Sequence, residues 1–343
     1  MQTKLVLQDD TYFHAPSVDL DSYDHIIVCH SMGKDSWAAL LHILAEGADR
    51  KKIEIWHHEV DGREGSNLMD WAFISDYAKK ACTSMGLPLY FSWLQGGFEG
   101  EMLKENTISQ PILTQTPDGL LLLERDTNRS KPATRLRFPQ QSASLQTRWC
   151  SSALKIDVAR RALNNQDRFK GKRTLMITGE RREESSNRAK YNQLEPHACD
   201  TRYGRTARHV DAWRPVLEWS EQKVWDTLKQ AGVVAPVPYR LGWNRSSCQA
   251  CIYNHGSIWA TMKKYFRERF EKVLNYEKQF NTTISRSKKN IDELAALNKP
   301  LEISDSAALA QAQQSEYVLP IFCHPDDWEM PVGAFRSEGC GSV

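Results

Sequence analysis

His25-Ile26-Ile27-Val28-Cys29-His30-Ser31-Met32-Gly33-Lys34-Asp35-Ser36 is the stretch on which the fold turns: a largely apolar run, a glycine-containing turn, then Trp37, Leu40, Leu41 and Leu44 at helical spacing up to Gly47. The run predicts a buried strand, and apolar residues three and four apart predict a helix with one face on a core. The unit is strand, loop, helix, and it repeats outward. Ile53 to Trp56 predicts a second strand, Leu68 to Met85 a helix closed by Gly86, and Leu89 to Leu94 a third strand. Ser152 to Leu163 then predicts a helix and Thr174 to Thr178 another strand. Such alternation predicts an α/β fold, a parallel twisted sheet with helices on both faces.

Residues 95–147 interrupt the alternation with Gly96-Gly97, Pro111, Pro117, Pro132 and Pro139, and read as an insertion or lid. Ser220 is placed to cap a helix running to Lys229, and Ile258 to Phe280 predicts a long helical segment. Residues 281–343 read as a polar tail. In a sheet of this kind anions bind beyond the C-terminal strand ends, where loop amides and a helix N-terminus converge. Ser31 to Ser36 occupies that place after the first strand. Gly33 permits close backbone approach, the Ser31 and Ser36 hydroxyls are placed to donate to phosphate oxygens, and Lys34 adds a cation. The G-x-x-x-x-G-K-[ST] pattern of a mononucleotide P-loop is absent. The expected division is a nucleotide-binding domain over 1–235, with its insertion at about 95–147, and a mostly helical cysteine-containing region over 236–343.

Composition narrows the class. The 343 residues are 41% hydrophobic and 26% charged and include 11 Trp, which excludes a disordered chain. The first ten residues lack a signal-peptide core and no long uncharged apolar run occurs, so the expected setting is cytoplasmic with no membrane partner. In a reducing compartment the 8 Cys point to metal or redox chemistry before disulfides. The net charge of +2 is unevenly spread: residues 124–173 hold thirteen Lys/Arg against four Asp/Glu, and residues 301–343 hold one Arg against seven acids. A basic middle suits a polyanionic substrate such as a nucleotide or nucleic acid.

Ser31-Met32-Gly33-Lys34-Asp35-Ser36 resembles the S-G-G-x-D-S signature of the PP-loop ATP pyrophosphatases, in the S-x-G-K-D-S form of their phosphoadenosine phosphosulfate (PAPS) reductase-like branch, with Met32 where glycine is usual. Three further blocks follow in the order of that branch. Arg148-Trp149-Cys150 through Lys155 resembles the R-W-C-[ST]-x-x-L-K block of DNA phosphorothioation sulfurtransferases and phage PAPS reductase-like proteins. Gly179 to Ser185 with Arg188 resembles G-x-R-x-x-E-S-x-x-R, and Trp213-Arg214-Pro215 with Trp219 and Trp225 leads to Cys248-Gln249-Ala250-Cys251. The resemblance implies an adenine nucleotide alpha hydrolase-like, Rossmann-like fold over roughly residues 24–280.

It also implies residue roles. Ser31, Gly33, Lys34, Asp35 and Ser36 would hold the phosphates of ATP, with Asp35 orienting the loop or binding Mg²⁺. Gly179 lies at a strand end where Arg181 and Arg188 would stabilise charge on pyrophosphate and Glu184 would orient an arginine or help hold Mg²⁺. Asp61, past the second strand, is placed to contact ribose or adenine. Lys155 and Arg148 are placed to bind phosphate or sulfate. Cys150, Cys248 and Cys251 resemble ligands of a [4Fe-4S] cluster, with Cys323 or Cys340 as the fourth; zinc and no metal remain alternatives. Cys29 and Cys82 read as buried apolar residues, and adjacent His57 and His58 as structural, since neighbours on a strand point to opposite faces.

The expected activity is cleavage of ATP to adenylate a substrate for sulfur incorporation, with nucleic acid as the expected substrate and a cysteine desulfurase as sulfur donor. Two alternatives stand beside it. One is reduction of PAPS or adenosine phosphosulfate with thioredoxin or glutaredoxin, for which Cys340 would be the thiol, although Glu338-Gly339-Cys340-Gly341 departs from E-C-G-[IL]-H. The other is a nucleotide-binding defence or DNA-binding subunit without turnover.

Overall fold

The computed structural model describes residues 10–336, so Cys340 and its neighbours lie outside the described residues. Eight strands form one sheet: β1 (His25–Cys29), β2 (Ile53–His58), β3 (Leu89–Leu94), β4 (Ile112–Thr116), β5 (Gly119–Leu123), β6 (Arg173–Ile177), β7 (Leu194–Pro196) and β8 (His209–Trp213). Their order is β5-β4-β3-β2-β1-β6-β8-β7. The central five, β3, β2, β1, β6 and β8, run parallel, while β4, β5 and β7 are antiparallel additions at the edges.

The expected α/β architecture is therefore what the chain adopts. Strand β1 explains why its run is apolar on consecutive residues. Ile26 and Val28 face the main core, and Ile27 faces a second cluster with Trp56, Leu163, Phe169, Met176 and Val210. Both faces are covered, as a parallel sheet requires. The helices are α1 (Lys34–Ala45), α2 (Ile74–Met85), α3 (Gly97–Met102), α4 (Trp149–Ser151), α5 (Asp157–Asn164), α6 (Glu221–Gln230), α7 (Val237–Arg240), α8 (Gly256–Tyr265), α9 (Arg267–Phe280), α10 (Ile291–Ala296) and α11 (Ser306–Ala312). Ser220 caps α6 as expected, its hydroxyl accepting the Lys223 amide.

Four elements differ from expectation. The insertion contains a hairpin, β4 and β5, that extends the sheet beyond β3. The helix expected from Leu68 starts only at Ile74, because the Asp61 carboxylate accepts the amides of Met69 and Asp70 and holds residues 68–73 in a turn. The long helix over 258–280 is broken at Phe266, whose φ of −132° and ψ of 49° leave the helical region. Finally, the polar tail is built into the molecule. Ile284, Ile291, Ala308, Ala312, Tyr317 and Trp328 are buried in the same core as β1 and α1, and Phe322 bridges to Val233.

Candidate active site

Strands β2 and β3 lie on one side of β1 and β6 and β8 on the other, so the strand order reverses beside β1. The loop after β1 opens at this switch point, where ligands bind in such sheets. Met32 stands in the left-handed region with φ 62°, the conformation that favours glycine, and its amide donates to His30 Nδ1 at 3.0 Å. Gly33 precedes α1, and a Cβ there would come within 3.3 Å of Ser246 Cβ and 3.4 Å of the Tyr239 hydroxyl. Ser31 Oγ and Ser36 Oγ lie 3.5 Å apart, and Ser36 Oγ donates to the Gly33 carbonyl at 2.9 Å. The loop from β6 packs directly behind: a Cβ on Gly179 would stand 2.6 Å from the Asp35 carbonyl. Only glycine lets the two loops meet there.

The charged residues are brought together, but in different company from that expected. Lys34 Nζ is turned away from the loop surface, only 4% exposed, 3.1 Å from Asp35 Oδ2 and 4.0 Å from Glu221, with the Tyr239 and Trp225 rings at 5.4 and 6.0 Å. It neutralises Asp35 and does not reach outward as a phosphate cation. Arg181 Nε donates to Asp35 Oδ1 at 2.6 Å. Burial works to raise the Asp35 carboxyl, but Lys34 and Arg181 outweigh it and hold the group below the usual carboxylate range. Asp35 is thus saturated by two cations and is not poised to hold Mg²⁺. Glu184 accepts the Arg181 amide at 3.0 Å and pairs with Arg188, with Arg245 at 3.9 Å. Magnesium at such a site would be carried chiefly by the phosphates of a nucleotide.

Asp61 also departs from its expected role. It is buried, its oxygens accept the Met69 and Asp70 amides, and burial pushes its pKa up to about 6. It shapes the loop that follows β2.

Cys150, Cys248 and Cys251 come together around Lys155 and Asp70. Burial, then Cys251, pushes the Cys150 thiol up to about 11, and burial with Asp70 raises Cys248, against the opposing effect of Lys155. Although its surroundings desolvate Lys155, Cys248, Asp70, Cys150 and Cys251 favour its charged form, and its side chain still opens to solvent. At neutral pH Cys150 and Cys248 are thiols beside an ammonium placed to stabilise a thiolate when one forms. Cys323 is elsewhere. Its amide donates to the Gly232 carbonyl, its neighbour Phe322 packs on Trp37, and the charge acting on it is that of Asp327. Among the described residues no group of three or more His, Cys, Asp or Glu is arranged to hold a metal ion. The donor chemistry suits a sulfur-ligated centre, but the arrangement of the described residues does not.

Several site residues escaped the sequence reading. His30 is buried, and burial followed by neighbouring His57 pushes it down to about 3, so it is neutral. Because Nδ1 accepts the Met32 amide, the proton sits on Nε2, a buried donor with no hydrogen bond among the described residues. Its position directly before Ser31 was the available signal. Tyr239, whose hydroxyl accepts the Lys34 amide at 3.2 Å, and Ser246, whose buried Oγ lacks a hydrogen bond among the described residues, come from some two hundred residues along the chain. No local signal marks them. His57 and His58 take separate partners, the His30 carbonyl and Ser92 Oγ, at 2.8 Å each.

A domain described as phosphoadenosine phosphosulfate reductase matches residues 122–253, the stretch that holds Arg148-Trp149-Cys150, Gly179 to Arg188 and Cys248 to Cys251. A protein of Escherichia phage 186, described as an uncharacterized 37.8 kDa protein in the gpa 5′ region, is 29% identical over 142 residues. That alignment covers 41% of this chain and 40% of the phage protein, so the chain spans about two fifths of its relative's length. Among solved structures, Candida glabrata FMN adenylyltransferase complexed with FMN and an ATP analogue, or with FAD and pyrophosphate, aligns at 11% and 13% identity. Each covers 86% of this chain and 76% of that chain with a TM-score of 0.34, a likeness too slight to add to the sheet described above. Among the described residues no helix is long and apolar enough to cross a membrane. Over residues 122–253, the stretch that carries three of its four motif blocks, the chain is thus similar to the phosphoadenosine phosphosulfate reductase domain.

Proposed function

We propose that the chain is an ATP-using PP-loop enzyme that adenylates a substrate oxygen so that sulfur can replace it, with nucleic acid as the substrate. The observation that carries this reading is the adjacency of two half-sites. The Ser31–Ser36 loop lies against Tyr239 and Ser246, and two residues beyond Ser246 the same segment supplies Cys248, beside Cys150 and Lys155. A nucleotide held on the loop therefore lies close in the chain to the thiols.

The loop amides, the Ser31 and Ser36 hydroxyls and His30 Nε2–H would bind the phosphates, while Lys34 and Arg181 keep Asp35 locked beneath them. The substrate oxygen attacks the α-phosphorus, the α–β bridging bond breaks, and pyrophosphate leaves. A sulfur nucleophile at the sulfide level then displaces AMP, which departs with the activated oxygen. Lys155 would stabilise the sulfur anion among Cys150, Cys248 and Cys251; a cysteine desulfurase would donate the sulfur as a persulfide, and a thiol reductant, itself oxidised to a disulfide, would release it at the sulfide level. We further propose the cytoplasm as the setting.

Labelled ATP incubated with the chain and nucleic acid should yield AMP and pyrophosphate, with sulfur entering the nucleic acid when a desulfurase, cysteine and a thiol reductant are supplied. Absence of AMP under all these conditions would overturn the reading. The match to a PAPS reductase domain favours one second reading, reduction of PAPS or adenosine phosphosulfate; sulfite release in the same assay would identify it. Iron, sulfide and zinc analysis of anaerobically purified protein tests whether the cysteines hold a [4Fe-4S] cluster or zinc.

A further inference from the structure

Helix α9 ends at Asn281, which takes the left-handed conformation with φ 50°, and the chain returns through residues 282–290 to begin α10. Between them lies an open cavity of about 680 Å³, lined in part by Lys278, Ser285, Arg286, Lys288 and Gln140. Lys278, Arg286, Lys288 and neighbouring Lys289 are all exposed. None has an ion pair or side-chain hydrogen bond among the described residues. The nearby acids are already committed: Glu277 is buried and accepts the amides of Ile284 and Ile291, Asp292 pairs with Lys263, and Glu293 accepts the Asn290 amide. The positive charge at the cavity is therefore uncompensated.

The insertion packs on the same helix: Phe138 lies against Tyr276 and Phe280 of α9 with ring centroids 6.5 and 6.2 Å apart. From Gln140 the chain runs toward the thiols: Gln141 Nε2 donates to the Ile252 carbonyl at 2.6 Å, and the Tyr253 hydroxyl donates to the Ser142 carbonyl at 3.2 Å. One wall of the basic cavity is thus hydrogen-bonded to the segment just after Cys251.

A pocket for a small phosphorylated molecule holds its ligand with buried, converging donors. Four exposed cations on long side chains suit a polyanion whose successive phosphates pass across a surface. We propose that this cavity grips the sugar–phosphate backbone of a nucleic acid and so delivers it to the Cys150, Cys248 and Cys251 site; the inference rests on the nucleic-acid reading given above.

The test uses the full chain and the triple variant Arg286→Ala, Lys288→Ala, Lys289→Ala. Fluorescence anisotropy is recorded with labelled single-stranded DNA, duplex DNA and RNA, each about 20 nucleotides long, from about 50 to 200 mM salt. The triple variant should keep the wild-type melting temperature and ATP affinity. It should bind the preferred nucleic acid at least about tenfold more weakly, and the slope of log affinity against log salt should fall by about 2 to 3, close to one unit per cation removed. Whichever of DNA or RNA shows this loss is the ligand. Unchanged affinity and slope in the variant would overturn the cavity as the binding surface while leaving the proposed function standing. Displacement of the probe by inorganic phosphate at the same ionic strength would also overturn it, in favour of a small-anion site. If the wild-type chain binds no nucleic acid, the nucleic-acid reading itself falls, and this inference with it.

Discussion

Single residues at the loop carry opposing demands. Met32 holds a left-handed backbone at about 1 to 2 kcal/mol, yet its side chain is 1% exposed within the core. Met32→Gly relieves the backbone but leaves a cavity, and loss of a buried Met side chain costs about 2 to 5 kcal/mol. The variant should be less stable on balance, by urea denaturation; a gain in stability would show that the side chain packs poorly. Gly179 has no such compensation. Gly179→Ala sets a methyl 2.6 Å from the Asp35 backbone, and overpacking of this kind costs about 1 to 3 kcal/mol. Nucleotide affinity, read by calorimetry, should fall with it, because the displaced backbone is the loop itself. Protonation is legible at the same scale. Burial, then neighbouring His57, pushes His58 down to about 3, so the folded state resists the proton that the unfolded chain accepts near its ordinary pKa of about 6.5. The stability linked to neutral His58 is complete above that value and is lost as pH falls through the window down to about 3. The difference in unfolding free energy between wild type and His58→Gln should therefore shift in favour of the variant from pH 7 to pH 5. A difference independent of pH would remove His58 from the account.

At the scale of elements, the segment from α7 to Cys248 covers the phosphate loop, and Tyr239 is its contact with the Lys34 amide. Tyr239→Phe leaves that amide without its acceptor, a loss of about 1 kcal/mol or somewhat more in the free protein. The same change frees a donor at the N-terminus of α1, so ATP should bind the variant more tightly than wild type while the melting temperature drops. Weaker binding would mean that the hydroxyl contacts the nucleotide. This coupling also marks the limit of what the chain discloses on inspection. Strands β1, β2, β3 and β6 were legible because both faces are buried and their apolar runs are unbroken. The β4–β5 hairpin was not, since Leu120 and Leu122 stay exposed at 59% and 50% and Pro117 reads as a loop. The loop and its glycines could be read because the backbone demands of an anion site are local. Tyr239, Ser246 and the inward turn of Lys34 could not, because they depend on tertiary contacts spanning some two hundred residues.

Across the whole molecule, the C-terminal segment completes the core that the parallel sheet begins. Tyr317 is 2% exposed and packs edge-on against Tyr77 and tilted against Phe73, with centroids 4.7 and 5.6 Å apart. Trp328, 8% exposed, packs on Trp225 at 6.2 Å and donates its indole N–H to the Val233 carbonyl at 2.8 Å. Trp225 in turn lies beneath Lys34, so removing the segment would bare a ring that helps bury the loop's own lysine. Each large apolar side chain returned to water costs about 1.5 to 3 kcal/mol, and a folded domain holds only about 5 to 15 kcal/mol in all. Exposure of Trp37, Tyr77 and Trp225 together therefore consumes most of that margin. A chain ended at residue 305 should accumulate as insoluble or unfolded protein, while the full chain should show coincident thermal transitions by far-ultraviolet and near-ultraviolet circular dichroism. A shortened chain that melts cooperatively near the full-length temperature would show that residues 306–336 cover a core already complete, and the site would then depend on α7 and the Cys248 segment alone.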